Sequence, residues 1–283
     1  MYALMLENES GNIVNINDGI SYVVTAVSGL NPPSASLFTS KSPNRKGSKY
    51  NGSTLDERNV VIEIKILGDI EKNRNALYNW VDTEQYCKIR YQNGVKNVYC
   101  EGYVQDCSID LFTDNEVVSV AVVCPNPYWK ELNEIIASIS KLIKQFTFPF
   151  AISAAGIPLS TMNENYSTNV FNTGAETGLK ITIKCTADVT NLTIFDDKDT
   201  TRRFALKTTI HPNEVVVIDT EASPKTCKRY KADGGEENLL KYIVPVPTWF
   251  TLKKGNNVFG YTADEGVSAA EITIGYTNKY LGV

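Results

Sequence analysis

Apolar and polar residues alternate along most of this chain with a period of two. Val60, Ile62, Ile64 and Ile66 are interleaved with Val61, Glu63, Lys65 and Leu67, the pattern of a strand with one buried face. Val118, Val120, Val122 and Cys124 repeat it. Lys88–Tyr91 and Asn97–Cys100 face each other across Asn93-Gly94, a dipeptide whose tolerance of positive φ favours a tight hairpin. A second hairpin is predicted at Ser10-Gly11-Asn12, between Leu4–Leu6 and Ile13–Ile16. Past residue 150 short strand patterns recur at 178–185, 191–194, 214–219 and 271–276, with turn residues between them at the spacing of a β-sandwich.

Two segments break the alternation. Residues 69–82 open on Asp69, a good N-cap, and place Ile70, Leu77, Trp80 and Val81 on one side, so one amphipathic helix is predicted over a sheet. Residues 131–144 set Leu132, Ile135, Ile136, Ile139, Leu142 and Ile143 at helical spacing, with Glu131 and Glu134 near the start, where a helix dipole favours acids. Pro149 ends that pattern. The expected class is mainly β. An α+β N-terminal domain spans 1–130, a helical linker 131–149, and an all-β C-terminal domain 150–283.

The stretch 40–54, SKSPNRKGSKYNGST, fits none of this. It carries Lys41, Arg45, Lys46 and Lys49 and almost nothing to bury. It reads as a long loop, either solvated or ordered against a partner that supplies the missing burial.

Composition narrows the function. With 28 Lys+Arg against 32 Asp+Glu the formal net charge is −4, which argues against sequence-independent nucleic-acid binding. No apolar run is long enough to cross a membrane as a helix, and the first residues, MYALMLENESG, lack the basic start of a secretory signal. Six cysteines at 87, 100, 107, 124, 185 and 227 include no C-x-x-C pair. They are expected to be free thiols, several on core faces of strands.

A search for chemistry returns little. The one histidine, His211, sits before Pro212 in a turn pattern, and no G-x-S-x-G elbow exists. Gly47 to Thr54 resembles half a phosphate loop, but no lysine follows Gly52 and a strand pattern comes next. Asp196, Asp197 and Asp199 lack the glycine and distal glutamate of a calcium loop, so acidic residues in a hairpin turn are the plainer reading. Asp233-Gly-Gly-Glu-Glu237 reads as an exposed acidic loop. The 15 tyrosines and three tryptophans fall mostly in strand patterns, where β propensity accounts for them. The expectation is no catalytic residue, no cofactor and no metal.

The order of features nevertheless resembles a family. A glycine-containing loop (Gly47, Gly52) precedes Arg58, which heads the strand through Ile62 and Ile64. Gly68 follows, then the helix with Arg74 and Leu77, an aromatic hairpin and the closing Cys124-Pro-Asn-Pro-Tyr-Trp129. This is similar to the N-terminal domain of phage distal tail (Dit) proteins, and Trp249–Asn257 with Tyr276–Val283 resembles the second sandwich of that family. The resemblance implies a tail-tube-like N-terminal sandwich with a helix and hairpin and a galectin-like C-terminal sandwich. It implies a non-enzymatic hub: a hexameric ring at the virion tail tip that joins the tail tube protein to a tail-tip hub, tail fibre or tail-associated lysin, with a receptor-binding protein as a further partner. It implies assembly in the bacterial host cytoplasm, without sequence-specific nucleic acid and without membrane insertion. Baseplate hubs of contractile tails and tailocins share these features. A carbohydrate-binding adhesion module on the C-terminal sandwich is the alternative function. Arg58, at the head of its strand, is expected to pair with a carboxylate in the sheet or across a ring interface.

Overall fold

The computed structural model describes residues 2–43, 46–109, 116–139, 142–144, 160–162 and 166–283, the side chains of 142–144 and 160–162 excepted. The strands, in chain order, begin with β1 (Ala3–Asn8), β2 (Ile13–Asn15), β3 (Tyr22–Ser28), β4 (Ala35–Ser40), β5 (Lys49–Leu55) and β6 (Arg58–Ile66). The helix α1 (Ile70–Val81) follows, then β7 (Tyr86–Gln92), β8 (Asn97–Ile109), β9 (Val117–Cys124) and β10 (Trp129–Glu131). Next come β11 (Ile135–Ser138), β12 (Leu142–Lys144), β13 (Ser160–Met162), β14 (Ser167–Asn172), β15 (Lys180–Cys185), β16 (Val189–Thr190), β17 (Thr193–Asp196) and β18 (Asp199–Ala205). The last are β19 (Thr209–Ile210), β20 (Val215–Asp219), β21 (Thr226–Tyr230), β22 (Glu236–Asn238), β23 (Gly255–Thr262), β24 (Ala270–Tyr276) and β25 (Lys279–Tyr280). The chain forms two units: residues 1–132 together with 279–283, and residues 133–278.

The first unit is built on one antiparallel sheet in the order β2-β1-β7-β8-β9-β6-β3, extended by β10, which pairs with both β8 and β25. The period-two segments form its inner face: Ile62, Ile64, Val118, Val120, Val122 and Ile89 are completely buried. The helix starts where Asp69 accepts from the backbone N–H of Lys72 at 3.2 Å, and it buries Leu77 and Val81. Ile70, expected on the buried side, is exposed. The hairpin β7–β8 forms with Gln92 opposite Asn97. Its loop has four residues, and Gly94 is not among the positive-φ glycines. Here Asn93 organises the turn, its Oδ1 accepting from the N–H groups of Val95 and Lys96 at 2.8 and 2.6 Å.

On the outer face of the same sheet, Glu7 of β1 lies opposite Lys88 of β7. Its carboxylate pairs with Lys88 Nζ at 3.1 Å and with Arg90 Nη2. Burial opposes ionisation of Glu7, but the hydrogen bonds from Lys88 and Arg90 outweigh it and hold the carboxyl below the usual range. A carboxylate depressed in the folded state stabilises above its unfolded pKa, and that contribution is lost as pH falls through the folded value. Glu7→Gln is therefore expected to destabilise by about 1–2 kcal/mol at neutral pH. The gap from wild type should close between pH 5 and pH 3, as read from urea midpoints across that range.

The second unit is a β-sandwich. A six-stranded sheet, β11-β24-β15-β20-β21-β22, and a four-stranded sheet, β14-β23-β17-β18, contribute to one core. Ile181, Ile183, Val216, Ile218, Ile272 and Ile274 come from the first; Val170, Ile194, Phe204, Phe259 and Tyr261 come from the second. Glu236 and Glu237, read from sequence as part of an exposed loop, lie in β22 and pair with Lys228 and with Arg229, Lys231 and Lys241.

The helix expected over 131–144, and with it a helical linker over 131–149, is corrected. Among the described residues of that span, Glu131 ends β10, 132–134 and 139 lie outside the elements, and the rest are strands β11 and β12, with β12 paired to β13; residues 140–141 and 145–149 lie outside the described residues. Ile135–Ser138 pairs antiparallel with Tyr276–Thr273 of β24, and Ile139 continues the pairing through its N–H to Ile272 O at 2.9 Å, its side chain buried in the core. A strand edge on β24 offers backbone hydrogen bonds along its length, and the isoleucines fit a pleated surface. The pairing overrides the helical spacing.

All six cysteines are free, and five are buried. Burial pushes the thiols of Cys87 and Cys227 up to about 12. Since the thiolate is the reacting species, a disulfide reagent at pH 8 should titrate at most one thiol, Cys107, in the folded protein and six after unfolding.

Candidate assembly surfaces

Arg58 occupies the first position of β6 and is 2% exposed. Among the described residues its guanidinium meets no carboxylate. Nε donates to the carbonyl of Pro127 at 2.8 Å, Nη1 to those of Asn31 at 2.7 Å and Gly29, and Nη2 to that of Leu281 at 2.6 Å. The Trp129 ring lies against it, 5.4 Å from the guanidinium carbon. The ion pair expected within the sheet is thus corrected: the partners there are backbone carbonyls. Backbone carbonyls carry enough partial negative charge to satisfy a planar cation with five donors, and using them avoids burying a second charge. Burial lowers the arginine pKa, but from so high a starting value that the group stays charged.

What Arg58 joins matters more than its charge state. The loop through Gly29 and Asn31 enters the β4–β5 hairpin, and Arg58 follows its exit. Asp56 N–H bonds to Ser34 O at 3.0 Å and Ser36 Oγ to Asp56 Oδ1 at 2.8 Å. The root of the hairpin is therefore pinned on both strands. The residues 279–283 meet the same point: β25 pairs with β10 through Trp129 and Tyr280, Lys96 Nζ donates to Gly282 O at 2.9 Å, and Val283 N–H reaches Leu30 O at 3.2 Å.

The hairpin itself forms a separate two-stranded sheet. The sequence segment 40–54 is therefore not structureless: Lys49–Leu55 is strand, paired with Ala35–Ser40, and residues 44–45 lie outside the described residues. Every residue of β4 and all but one of β5 are exposed or nearly so. Leu37, Phe38, Tyr50 and Leu55 stand 65, 53, 60 and 39% exposed. Register and alternation put Leu37, Tyr50 and Leu55 toward one face and Phe38 toward the other. An isolated two-stranded ribbon is marginal in water, so this arm is shaped for burial against something else.

The other sequence candidates are not brought together. His211 is exposed, with Nδ1 3.0 Å from Asp188 Oδ1 and its N–H on Glu214; among the described residues no hydroxyl or thiol bonds to the ring. Asp196 pairs with Arg202 at 3.0 Å, and Asp199 accepts from Thr201. Among the described residues no group of His, Cys, Asp and Glu is placed to hold a metal, and no helix is long and apolar enough to cross a membrane. Gly47 and Gly52 lie in or beside the arm, with no helix N-terminus following.

Residues 172–280 match the family model of the siphovirus-type tail component, C-terminal domain, the SPP1 Dit family. The C-terminal unit is a Dit domain. Over nearly the whole length the Dit fold is shared: the chain is similar to the Dit protein of phage SPP1, described as a paradigm of the hub adsorption apparatus in phages infecting Gram-positive bacteria, at 13% identity, 99% coverage of both chains and TM-score 0.70. It is similar at 13% identity, over 100% of both chains and with TM-score 0.52, to a chain of the phage P2 baseplate in its activated conformation with calcium. The strontium form gives 12% identity, 98% coverage of both chains and TM-score 0.50. Among curated proteins no sequence matches. Sequence reasoning missed the partners of Arg58 and the strand character of the arm. The only available signal was the position of Arg58 at a strand head beside a long basic segment.

Proposed function

We propose that this chain is a structural hub of a phage tail tip, in which six copies close a ring through their N-terminal units. The observation that carries this reading is the exposed arm, a ribbon that is pinned at its root and leaves Leu37, Phe38, Tyr50 and Leu55 unburied in one copy. In a ring each arm lies on the neighbouring copy, a heterologous contact that closes on itself. The fold shared along the whole chain with Dit of phage SPP1 supports the hub assignment. On this reading the N-terminal domain, 1–130, meets the tail tube protein and a tail-tip hub, fibre or tail-associated lysin. The C-terminal sandwich faces outward toward receptor-binding proteins. The molecule acts through shape and surface, assembled in the host cytoplasm and carried at the virion tail tip, and no reactive group is required of it.

The test uses the full chain. Native mass spectrometry and negative-stain images are expected to show six-membered rings for the wild type. Leu37→Asp with Tyr50→Asp should give monomers that melt like the wild-type monomer, because neither side chain touches the core of its own unit. A wild type that stays monomeric at every concentration, or rings that persist in the double variant, would overturn the reading.

A further inference from the structure

We propose that Asn51, in the arm, is a site of spontaneous covalent modification: the backbone nitrogen of Gly52 displaces its side-chain amide, and water then leaves an aspartate or an isoaspartate at this position. The proposal does not depend on ring formation. Asn-Gly occurs twice in the chain, at 51–52 and 93–94. Glycine carries no side chain to shield the attacking nitrogen, and at both Gly52 and Gly94 nothing lies within 4 Å of the place a Cβ would take. Sequence therefore makes the two sites equal, and the structure sets them apart. Asn93 is locked. Its Oδ1 accepts from the N–H groups of Val95 and Lys96 at 2.8 and 2.6 Å, its Nδ2 donates to Tyr91 Oη at 3.2 Å, and its own N–H bonds to Lys96 O at 2.9 Å. Turning its carboxamide carbon onto the Gly94 nitrogen means giving up the three side-chain bonds together.

Asn51 has no such lock. It is exposed, and it is the extra residue where the β4–β5 register shifts, between Tyr50 opposite Thr39 and Gly52 opposite Phe38. A bulged residue is left out of the ladder. Among the described residues its side chain makes one hydrogen bond, accepted by Oδ1 from Ser40 Oγ at 3.5 Å, the long limit of such a contact, and Nδ2 is unheld. The two-stranded ribbon around it is marginal, so the local opening that brings the carboxamide carbon onto the Gly52 nitrogen costs little. In the reaction the Gly52 nitrogen loses its proton and bonds to Asn51 Cγ, the Cγ–Nδ2 bond breaks, and ammonia leaves from a closed imide ring. Water opens the ring at either carbonyl. Both openings put a carboxylate on the arm among Lys41, Lys46 and Lys49. Opening at the main-chain carbonyl also reroutes the backbone through the side chain and lengthens β5 at the bulge.

The test uses the full chain carrying Leu37→Asp, with the monomer selected by size, so the outcome stands whether or not wild-type copies close a ring. The chain is aged at mildly alkaline pH, folded and in urea. Peptides containing Asn51 and Asn93 are followed by mass, and isoaspartate is read with an isoaspartyl methyltransferase. In urea the two sites should convert at similar rates. In the folded chain Asn51 should stay near its urea rate, while Asn93 should slow by about tenfold or more, because its side-chain hydrogen bonds must break together. Both aspartate and isoaspartate should accumulate at position 51, and Asn51→Gln should remove the signal there and leave Asn93 unchanged. Amide exchange over β4 and β5 should quicken in the isoaspartate form. Folding that protects Asn51 as strongly as Asn93, conversion of Asn93 first, or aspartate at position 51 without isoaspartate would overturn the proposal.

Discussion

Arg58→Leu is expected to destabilise the N-terminal unit by about 2–4 kcal/mol, because it strips the donors from four part-buried backbone carbonyls. The leucine fills part of the space but leaves the carbonyls of Gly29, Asn31, Pro127 and Leu281 without their donor. Each buried acceptor left unmade carries a desolvation penalty of about 1–3 kcal/mol, and relaxation around the site keeps the total below the sum. Arg58→Lys should recover only part of the loss. Its ammonium has three donors on a point charge and cannot span a planar set of four acceptors. Urea unfolding followed at Trp129, which packs on the guanidinium, reads the effect. A leucine variant with a wild-type midpoint would show that the carbonyls have other donors and that the clamp is incidental. Because the same carbonyls fix the root of the arm, Arg58 variants should also lose the β4–β5 pairing before the rest of the unit unfolds.

Gly266→Ala should be comparably severe in the C-terminal unit, at about 3 kcal/mol or more. Gly266 has φ +72°, and a Cβ there would sit 2.0 Å from the backbone oxygen of Asp188. The left-handed conformation alone penalises alanine by roughly 1–2 kcal/mol, and relieving a backbone overlap adds about 1–3 kcal/mol. The neighbouring chain cannot give way easily. Thr190 and Glu265 form a bridge, Asp264 N–H bonds to Thr190 O at 3.0 Å, and Ala269 N–H bonds to Gly266 O at 2.9 Å. Hydrogen exchange of the β16 and β24 amides should accelerate by the corresponding factor, roughly a hundredfold at 3 kcal/mol; unchanged exchange would mean that the loop moves aside freely.

How much of this molecule could be read in advance depended on where the information lay along the chain. The strands β6 and β9 and the helix α1 were legible because their determinants are local: strict alternation over Val60–Ile66 and Val118–Cys124, and Asp69 at the head of an apolar stripe. Residues 131–144 misled because their isoleucines satisfy helical spacing and strand preference alike, and only the open edge of β24 decided between them. The arm was unreadable for the opposite reason. Its serines, threonines, lysines and glycines carry no buried face, so no alternation marks the strands. Arg58 was noticed but its carbonyl partners were not, since four carbonyls scattered from residue 29 to residue 281 leave no trace in side-chain pattern.

By itself, then, the sequence determined a mainly β chain, the helix that opens at Asp69 and cysteines that stay free thiols, because those properties follow from side-chain type and short-range spacing. The return of residues 279–283 to the first unit, the cradle of carbonyls around Arg58 and the unburied arm were decided only by tertiary structure. Each rests on backbone groups or strand register that bring together residues tens to hundreds of positions apart, and neither backbone carbonyls nor register are written in the identity of any single residue.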